Sequence, residues 1–421
     1  MRIAVVGAGI AGLASSWLLS RLHEVTLFEA NGYLGGHTHT HPVRLAGGDY
    51  AVDSGFIVFS PRHYPLFSAL LDELQVGSQP TTMSFSVRNE ASGLEYNATG
   101  LDTLFCQRRN LLSVRFLGMV RDLLRFYREA PALLAGEGPG PTLGEYLATG
   151  GYGAAFRDDH LVPMASALWS SPPARILSFP ARYLVQFMAN HQMLSIQGRP
   201  EWRVVRGGSA SYVRALRARW RVRERPGCPV RAVRREAHGV SIAYDGGAER
   251  FDHVVLACHS DQALALLSDA SAAERAILGA IPYQPNEAVL HTDASVLPRR
   301  RKAWAAWNAH VPREPGTACT VSYCMNLLQG IDSPEPFIVT LNRTAAIDPA
   351  RVLRTMRYEH PLHTHAALTA QRRRAEIQGV NRTWFAGAYW GWGFHEDGMR
   401  SALAVAEALD ARCARERRSA A

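Results

Sequence analysis

Residues 2–30 read RIAVVGAGIAGLASSWLLSRLHEVTLFEA, and no other stretch constrains the fold as tightly. An apolar run leads into Gly7-x-Gly9-x-x-Gly12, then into helix-spaced apolar residues, then into a second apolar run ending at Glu29. The spacing predicts a strand, a glycine turn, a helix and a second strand within about thirty residues, a βαβ unit. Gly7 permits the tight turn, Gly9 lets the backbone approach a pyrophosphate, and Gly12 lets helix and strand pack closely. The helix N-terminus then stabilises the phosphate charge. Glu29 is placed to accept hydrogen bonds from ribose hydroxyls and to repel a 2′-phosphate. The segment is as apolar as a signal peptide, but a signal's apolar core is not the first half of a βαβ unit. The expectation is therefore no targeting segment and no transmembrane helix.

A second glycine motif follows at residues 35–42, GGHTHTHP. On an extended chain side chains alternate, so His37, His39 and His41 can all point one way. A metal needs three or four convergent ligands, which alternate histidines alone do not supply. The stretch EHPLHTH (His360, His363, His365) could complete such a set, but the reading here is that no metal is bound.

Farther along, residues 64–76 have helical spacing and 83–105 read as a hairpin turning at Glu90–Gly93. Residues 111–135 form an amphipathic helix bearing Arg121, Arg125 and Arg128, ended by the loop at 136–141. Helix continues through 143–195, broken near 170–173. Residues 201–220 read as a strand, a glycine pair and a helix, and 228–259 as three strands. Residues 281–345 are β-rich. A strand at 382–388 then leads through YWGWGFHEDG into a final helix opening at Met399. One βαβ unit cannot close a domain, so later segments must return to it. Two interleaved domains are expected, one from 1–75, 205–265 and 375–421, the other from 76–204 and 266–374.

The 421 residues are 47% hydrophobic and 20% charged, as in an ordinary folded protein. The net charge of +9 is nearly all arginine, Lys302 being the only lysine. No zinc-finger spacing, RNP-like motif or basic low-complexity tail points to nucleic acid. The six cysteines are scattered without a CxxC pair, which fits a reducing cytoplasm.

VVGAGIAGL…VTLFEANGYLGG resembles the opening of the FAD-binding superfamily that includes flavin amine oxidases and phytoene-type desaturases. WFAGAYWGWGFHEDGMRSALAVAEAL resembles its C-terminal FAD motif. More narrowly, GGHTHT, VDSGFIVFS, MSFSV, FPARYL, NEAVLHTD and GFHEDG resemble a branch of oxidoreductases associated with cyclopropane fatty-acid synthases. The resemblance implies an α/β fold of two domains, a Rossmann-like FAD domain and an interleaved α+β substrate domain, with FAD held non-covalently. It places Gly7, Gly9, Ile10, Ala11, Gly12, Glu29, Ala30, Gly35, Gly36 and His37 along the cofactor. Val230 stands at the adenine and Ala257 in the later Ala-Cys stretch. Gly387 lies near the ribityl-phosphate, and Gly398, Met399 and Ala402 near the flavin.

His395, Glu396 and Asp397 have two open readings: caps of the helix that follows, or, for His395 or Glu396, a proton acceptor beside the flavin. Tyr389, Trp390, Trp392 and Phe394 could flank the ring, shape a hydrocarbon tunnel or be core; His395, Glu396 and Tyr389 are taken as the catalytic candidates. The amine oxidases of the superfamily carry a lysine near flavin N5. The corresponding place here is close to Asn286–Glu287, while Lys302 reads as surface. The expected activity is a dehydrogenase or desaturase of an unsaturated or modified fatty-acyl chain, passing hydride to flavin N5. Amine oxidation, flavin-dependent isomerisation, or a non-catalytic FAD-stabilised role beside a lipid methyltransferase are the alternatives. The expected setting is the cytoplasm, with peripheral contact to an anionic membrane at its inner face. The expected partners are a small-molecule or lipid acyl substrate and a lipid methyltransferase, and no nucleic acid.

Overall fold

Ile3–Val6, wholly apolar, and Val25–Phe28, apolar but for Thr26, are too hydrophobic for a half-exposed strand, and both lie in the buried middle of a parallel sheet. In the computed structural model, residues 1–45, 47–136, 138, 140–314 and 320–420 are described. Cys319 and positions 137 and 139 of the 136–141 loop lie outside them. The parallel sheet holds β1 (Arg2–Val6), β2 (Glu24–Phe28), β3 (Val222–Arg225), β4 (His253–Leu256) and β5 (Thr383–Phe385). Their order is β3-β2-β1-β4-β5, with Ala4 opposite both Thr26 and Val254. The helices include α1 (Ile10–Leu19), α2 (Pro65–Glu73), α3 (Val114–Glu129), α4 (Ala210–Arg217) and α5 (His395–Ala420).

One face of the sheet, through Ile3, Val5, Leu27 and Val255, packs on α1 and α5. The other face, through Ala4, Val6, Phe28 and Val254, is covered by an antiparallel sheet of residues 230–236, 239–244 and 247–251. A seven-stranded sheet lies apart from these. Its order is 352–361, 283–291, 338–341, 321–324, 307–311, 85–89 and 94–97. Only the pairing of 307–311 with 85–89 is parallel.

Three expectations change. Residues 228–259 hold four strands, because 247–251 closes a hairpin and His253–Leu256 leaves to become β4. The switch occurs at Asp252, whose N–H donates to Arg2 O (2.8 Å) and whose Oδ2 accepts Arg2 N (2.7 Å). The charged sequence of 247–251 hid its alternation. The 111–135 helix begins at Val114, where Ser113 Oγ accepts the Phe116 N–H at 3.2 Å, and gives way to a tighter turn at Ala130. The last helix opens at His395 rather than Met399, since Phe394 O already accepts from Asp397 N and Gly398 N.

Asp53 joins these parts. Fully buried, it accepts from Thr40 Oγ1 (2.5 Å), Ser209 N (2.9 Å), Ser209 Oγ (2.8 Å) and Gln329 Nε2 (3.1 Å). Burial, offset in part by those donors, pushes its carboxyl up to about 6. The folded chain therefore holds a proton that an unfolded aspartate, near about 4, has released. Between those values stability falls as pH rises, and it levels above the folded pKa. Denaturant titrations should show the wild type losing stability relative to Asp53→Asn across that window; a difference independent of pH would overturn this account.

Candidate functional site

Just past the carboxyl end of β1 the chain turns at Gly7, with φ +98°, where a Cβ would meet Ala257 O and Cys258 N at 2.9 Å. A Cβ on Gly12 would stand 1.8 Å from Gly7 O, so α1 reaches the sheet only because both are glycine. Over Gly9 there is nothing within 4 Å. The N-terminus of α1 has no side-chain cap and no acidic residue in its first turn, which leaves the amides around Ile10, Ala11 and Gly12 for an anion. The second glycine motif closes on this turn. Gly35 N donates to Ala8 O at 2.9 Å, and a Cβ on Gly36 would lie 3.0 Å from Gly9 Cα.

Glu29 braces the same turn. Its Oε2 accepts from Ala8 N (2.7 Å), and its Oε1 from the backbone and side chain of Asn31 (2.8 and 2.9 Å). Carboxylate oxygens retain further lone pairs for hydroxyl donors. Cys228 N donates to Glu29 O, which brings Val230, half-buried at the start of its strand, beside the end of β2; Ala30 is exposed there.

Residues 37–41 then present two faces. The three histidines point one way, toward strand 352–361. The His37 ring lies 4.9 Å from Tyr358, 5.2 Å from His360 and 6.4 Å from His259. His39 stacks between Tyr33 (4.1 Å) and His41 (4.0 Å), and His41 Nε2 bonds Ser54 Oγ at 2.8 Å. The threonines point the other way. Thr38 Oγ1 bonds Tyr212 OH (2.6 Å) and His395 Nε2 (3.0 Å), and Thr40 Oγ1 accepts from Ala210 N at 2.9 Å. Among the described residues no group of three or more His, Cys, Asp or Glu is arranged to hold a metal ion.

The imidazoles on this segment are held neutral. Burial, then the fields of His360, His259 and His395, keeps His37 well below the usual histidine range. Burial, with a smaller push from His259, lowers His360 to about 4, and burial takes His395 to about 3. Asn286 Nδ2 donates to His360 Nδ1 at 3.1 Å, which puts the ring proton on Nε2. His37 Nε2 is buried and has no hydrogen-bond partner.

The loop before α5 divides. Tyr389 and Trp390 turn into the core beneath β4 and β5, where the Tyr389 ring sits on Gly387. Trp392 and Phe394 join the opposite cluster, against Phe187, at 6.0 and 5.3 Å between ring centres. His395, in the first turn of α5, stacks on Phe56 with centroids 3.4 Å apart. Glu396 caps another helix, accepting from Leu66 N (3.0 Å) and Phe67 N (3.1 Å) of α2. Asp397 accepts from Trp392 N and Phe394 N, both at 3.1 Å, and so ties its own loop. Tyr389 is thus separated from His395 and Glu396. Gly398 and Ala402 are helix-contact positions, since a Cβ on Gly398 would lie 2.6 Å from Ile10 Cγ2; Met399 packs in the same cluster.

Sequence reasoning passed over Thr38, Tyr212, His259 and Tyr358 and weighed His360 only for metal. Their separation along the chain gives no local signal; the alternation of 37–41 was the one clue that two faces had to be filled. Lys302 is exposed and pairs with Asp102 at 3.0 Å, away from these residues.

The family described as flavin containing amine oxidoreductase matches residues 10–324. The chain belongs to that family. A flavin is accordingly its cofactor, and the chain is a flavin-dependent oxidoreductase of the amine oxidase superfamily. Cyclohexylamine oxidase from Brevibacterium oxydans is similar over 97% of this chain and 99% of its own, with 17% identity and a TM-score of 0.67. The CLA-producing fatty acid isomerase from P. acnes is similar over 95% of this chain and 96% of its own, with 18% identity and a TM-score of 0.64. These likenesses concern the fold. A short stretch resembles tryptophan 2-monooxygenase from Allorhizobium ampelinum, 52% identical over 42 residues, 10% of this chain and 6% of that protein.

The residues fit such a cofactor: an open space over Gly9, an uncapped helix N-terminus, and an orphaned imidazole nitrogen one residue beyond Gly36. A paired test follows. Gly9 has φ −69°, which alanine tolerates, so Gly9→Ala should fold and purify with its flavin absorbance reduced. Gly12→Ala should fail to fold, because its Cβ would meet backbone. Full flavin occupancy in Gly9→Ala would show that no phosphate approaches there.

Proposed function

We propose that this chain is an FAD-dependent dehydrogenase or desaturase of an unsaturated or modified fatty-acyl chain. The adenine-dinucleotide form of the flavin is favoured by Glu29 beside the glycine turn and by Val230 close to it. The observation that carries the substrate class is the uncharged wall built on Trp392 and Phe394. Phe187 and Trp169 pack with them, Trp169 lying 4.8 Å from Phe187 and donating Nε1–H to Trp392 O at 3.1 Å. Burial keeps the neighbouring imidazoles of His191 and His363 down at about 4. Both carboxylates of the same loop are occupied by backbone N–H groups, so a cationic amine would meet engaged acids while a hydrocarbon chain would meet rings.

Bound FAD would supply the two-electron chemistry, taking hydride from an activated, allylic C–H. The aromatic wall orients the chain and excludes water. The proton goes to His37, whose Nε2 is unpartnered, in preference to His395, already bonded to Thr38, or Glu396, already a cap; because burial and the neighbouring imidazoles keep that ring a weak base, it holds the proton only transiently before release to solvent. This activity suits the branch associated with cyclopropane fatty-acid synthases, with a lipid methyltransferase as partner.

Anaerobic visible spectra test the reading. Unsaturated acyl lipids should bleach the flavin and polyamines should not; bleaching by polyamines alone would make the chain an amine oxidase. Conversion of the lipid to a double-bond isomer with no net bleaching would make it an isomerase. His37→Gln should retain flavin and slow bleaching about 10²-fold. Glu396→Ala should retain its flavin, lower stability by about 1–2 kcal/mol through loss of the α2 cap, and slow bleaching far less than His37→Gln does. A slowed rate in Glu396→Ala with normal rates in His37→Gln would reverse the assignment.

A further inference from the structure

The sequence predicts one amphipathic helix over 111–135 bearing Arg121, Arg125 and Arg128, and the structure divides those arginines. Arg125 is turned inward, donating to Gly150 O at 2.6 Å and lying over the Tyr152 ring at 3.9 Å. The core takes Phe116, Met119 and Phe126 from α3. Left outside are large apolar residues that the core does not use. Leu112 is 89% exposed and Val114 87% exposed, and Leu111, Leu117 and Leu124 are exposed with them. Val114, Leu117, Arg121, Leu124 and Arg128 are spaced 3, 4, 3 and 4 apart, so they form one stripe along the helix. The helix buries one apolar face and carries a second, solvent-facing stripe that is apolar at its N-terminal end, Val114 and Leu117, and mixes leucine with arginine beyond it.

The rim of this surface is cationic. Exposed Arg108, Arg109 and Arg115 flank Leu111, Leu112 and Val114. The run Arg299–Lys302 is brought alongside through Asp102, which bridges Arg108 and Lys302 (3.0 Å to Nζ). Leu101, beside Asp102, is 78% exposed. Arg115 is held by Asp159 at 2.6 Å with its side chain still more than half exposed. Isolated exposed leucines need no explanation, but a contiguous apolar ridge with a basic border marks an interaction surface. Apolar side chains entering the acyl boundary while arginines meet anionic headgroups is the pattern of an interfacial helix. No helix among the described residues is long and apolar enough to cross a membrane, so the contact would be peripheral.

We propose that residues 101–124, led by Leu112 and Val114 with the Arg108, Arg115 and Lys302 border, dock this protein on an anionic lipid surface. The inference rests on exposure and charge alone and holds whatever the substrate.

Co-flotation of the purified protein with vesicles tests it. Binding should be strong to mixed phosphatidylglycerol and phosphatidylcholine vesicles, weak to phosphatidylcholine alone, and weaker in high salt. The pair Leu112→Ser and Val114→Ser should lower the partition coefficient about tenfold or more. Arg108→Glu with Arg115→Glu should do so on anionic vesicles only. Neither pair touches the flavin site, so flavin absorbance should be unchanged and serves as the check on folding. Absence of binding to anionic vesicles, or binding unaffected by either pair, overturns the proposal. So does a dimer that the Leu112 and Val114 substitutions convert to monomer while vesicle binding stays nil, which would make the ridge a face for a second copy.

Discussion

The carbonyl oxygen of Gly7 occupies the place where a side chain on residue 12 would begin, 1.8 Å from that missing Cβ. Everything around the site inherits this contact. It draws the first turn of α1 onto the end of β1, and the same Gly7 is pressed from the other side by the backbone of Ala257 and Cys258 at the end of β4. α5 then settles on α1 through Gly398 and Ile10, with Ala402 wholly buried. Three segments more than a hundred residues apart therefore meet at the carboxyl edge of one sheet, where parallel α/β folds bind their ligands. The sheet can be assembled from interrupted pieces because each piece closes against a glycine.

A second constraint is electrostatic. The segment after Gly36 sends histidines to one side and threonines to the other, and both sides are dry. In such surroundings a charged imidazole loses its hydration and gains little in return, and His259, His360 and His395 each make protonation of a neighbour harder. Neutral rings crowd together at distances that charged ones would not. Ring nitrogens or faces of these histidines are already taken up by neighbours: His360 by Asn286, His39 by Tyr33 and His41 by Ser54.

Much of this was legible in advance for reasons that are local. The βαβ unit has its spacing and its glycines within thirty residues, and the alternation of 37–41 correctly implied a single histidine face. What failed was set by distant partners. Glu396 sits in the first turn of a helix, where a carboxylate reads as that helix's own cap, yet it caps α2, more than three hundred residues away. Tyr389, Trp390, Trp392 and Phe394 look like one aromatic patch. Gly391 and Gly393 let the chain reverse between them, so two enter the core below the sheet and two face the helical cluster. The strand at 247–251 was missed because it lies on a sheet edge with only Phe251 buried and with Glu249 taken up by Arg2 and Arg225, so hydrophobic alternation does not report its pairing.

The carboxylates at the start of α5 clarify how such a site can be rigid before any ligand arrives. Asp397 holds Trp392 and Phe394 by their N–H groups, Glu396 fastens the same turn to α2, and His395 lies flat on Phe56 while bonding Thr38. The loop 391–394 and the turn that follows it are thereby tied to α2, to Phe56 and to Thr38. Burial raises the cost of ionising Asp397, whose carboxyl is pushed up to about 6, and its two backbone donors and Arg400 offset part of that cost. Glu396 and Asp397 thus fix the positions of Trp392 and Phe394 relative to the rest of the fold, and little ordering is left for a ligand to impose.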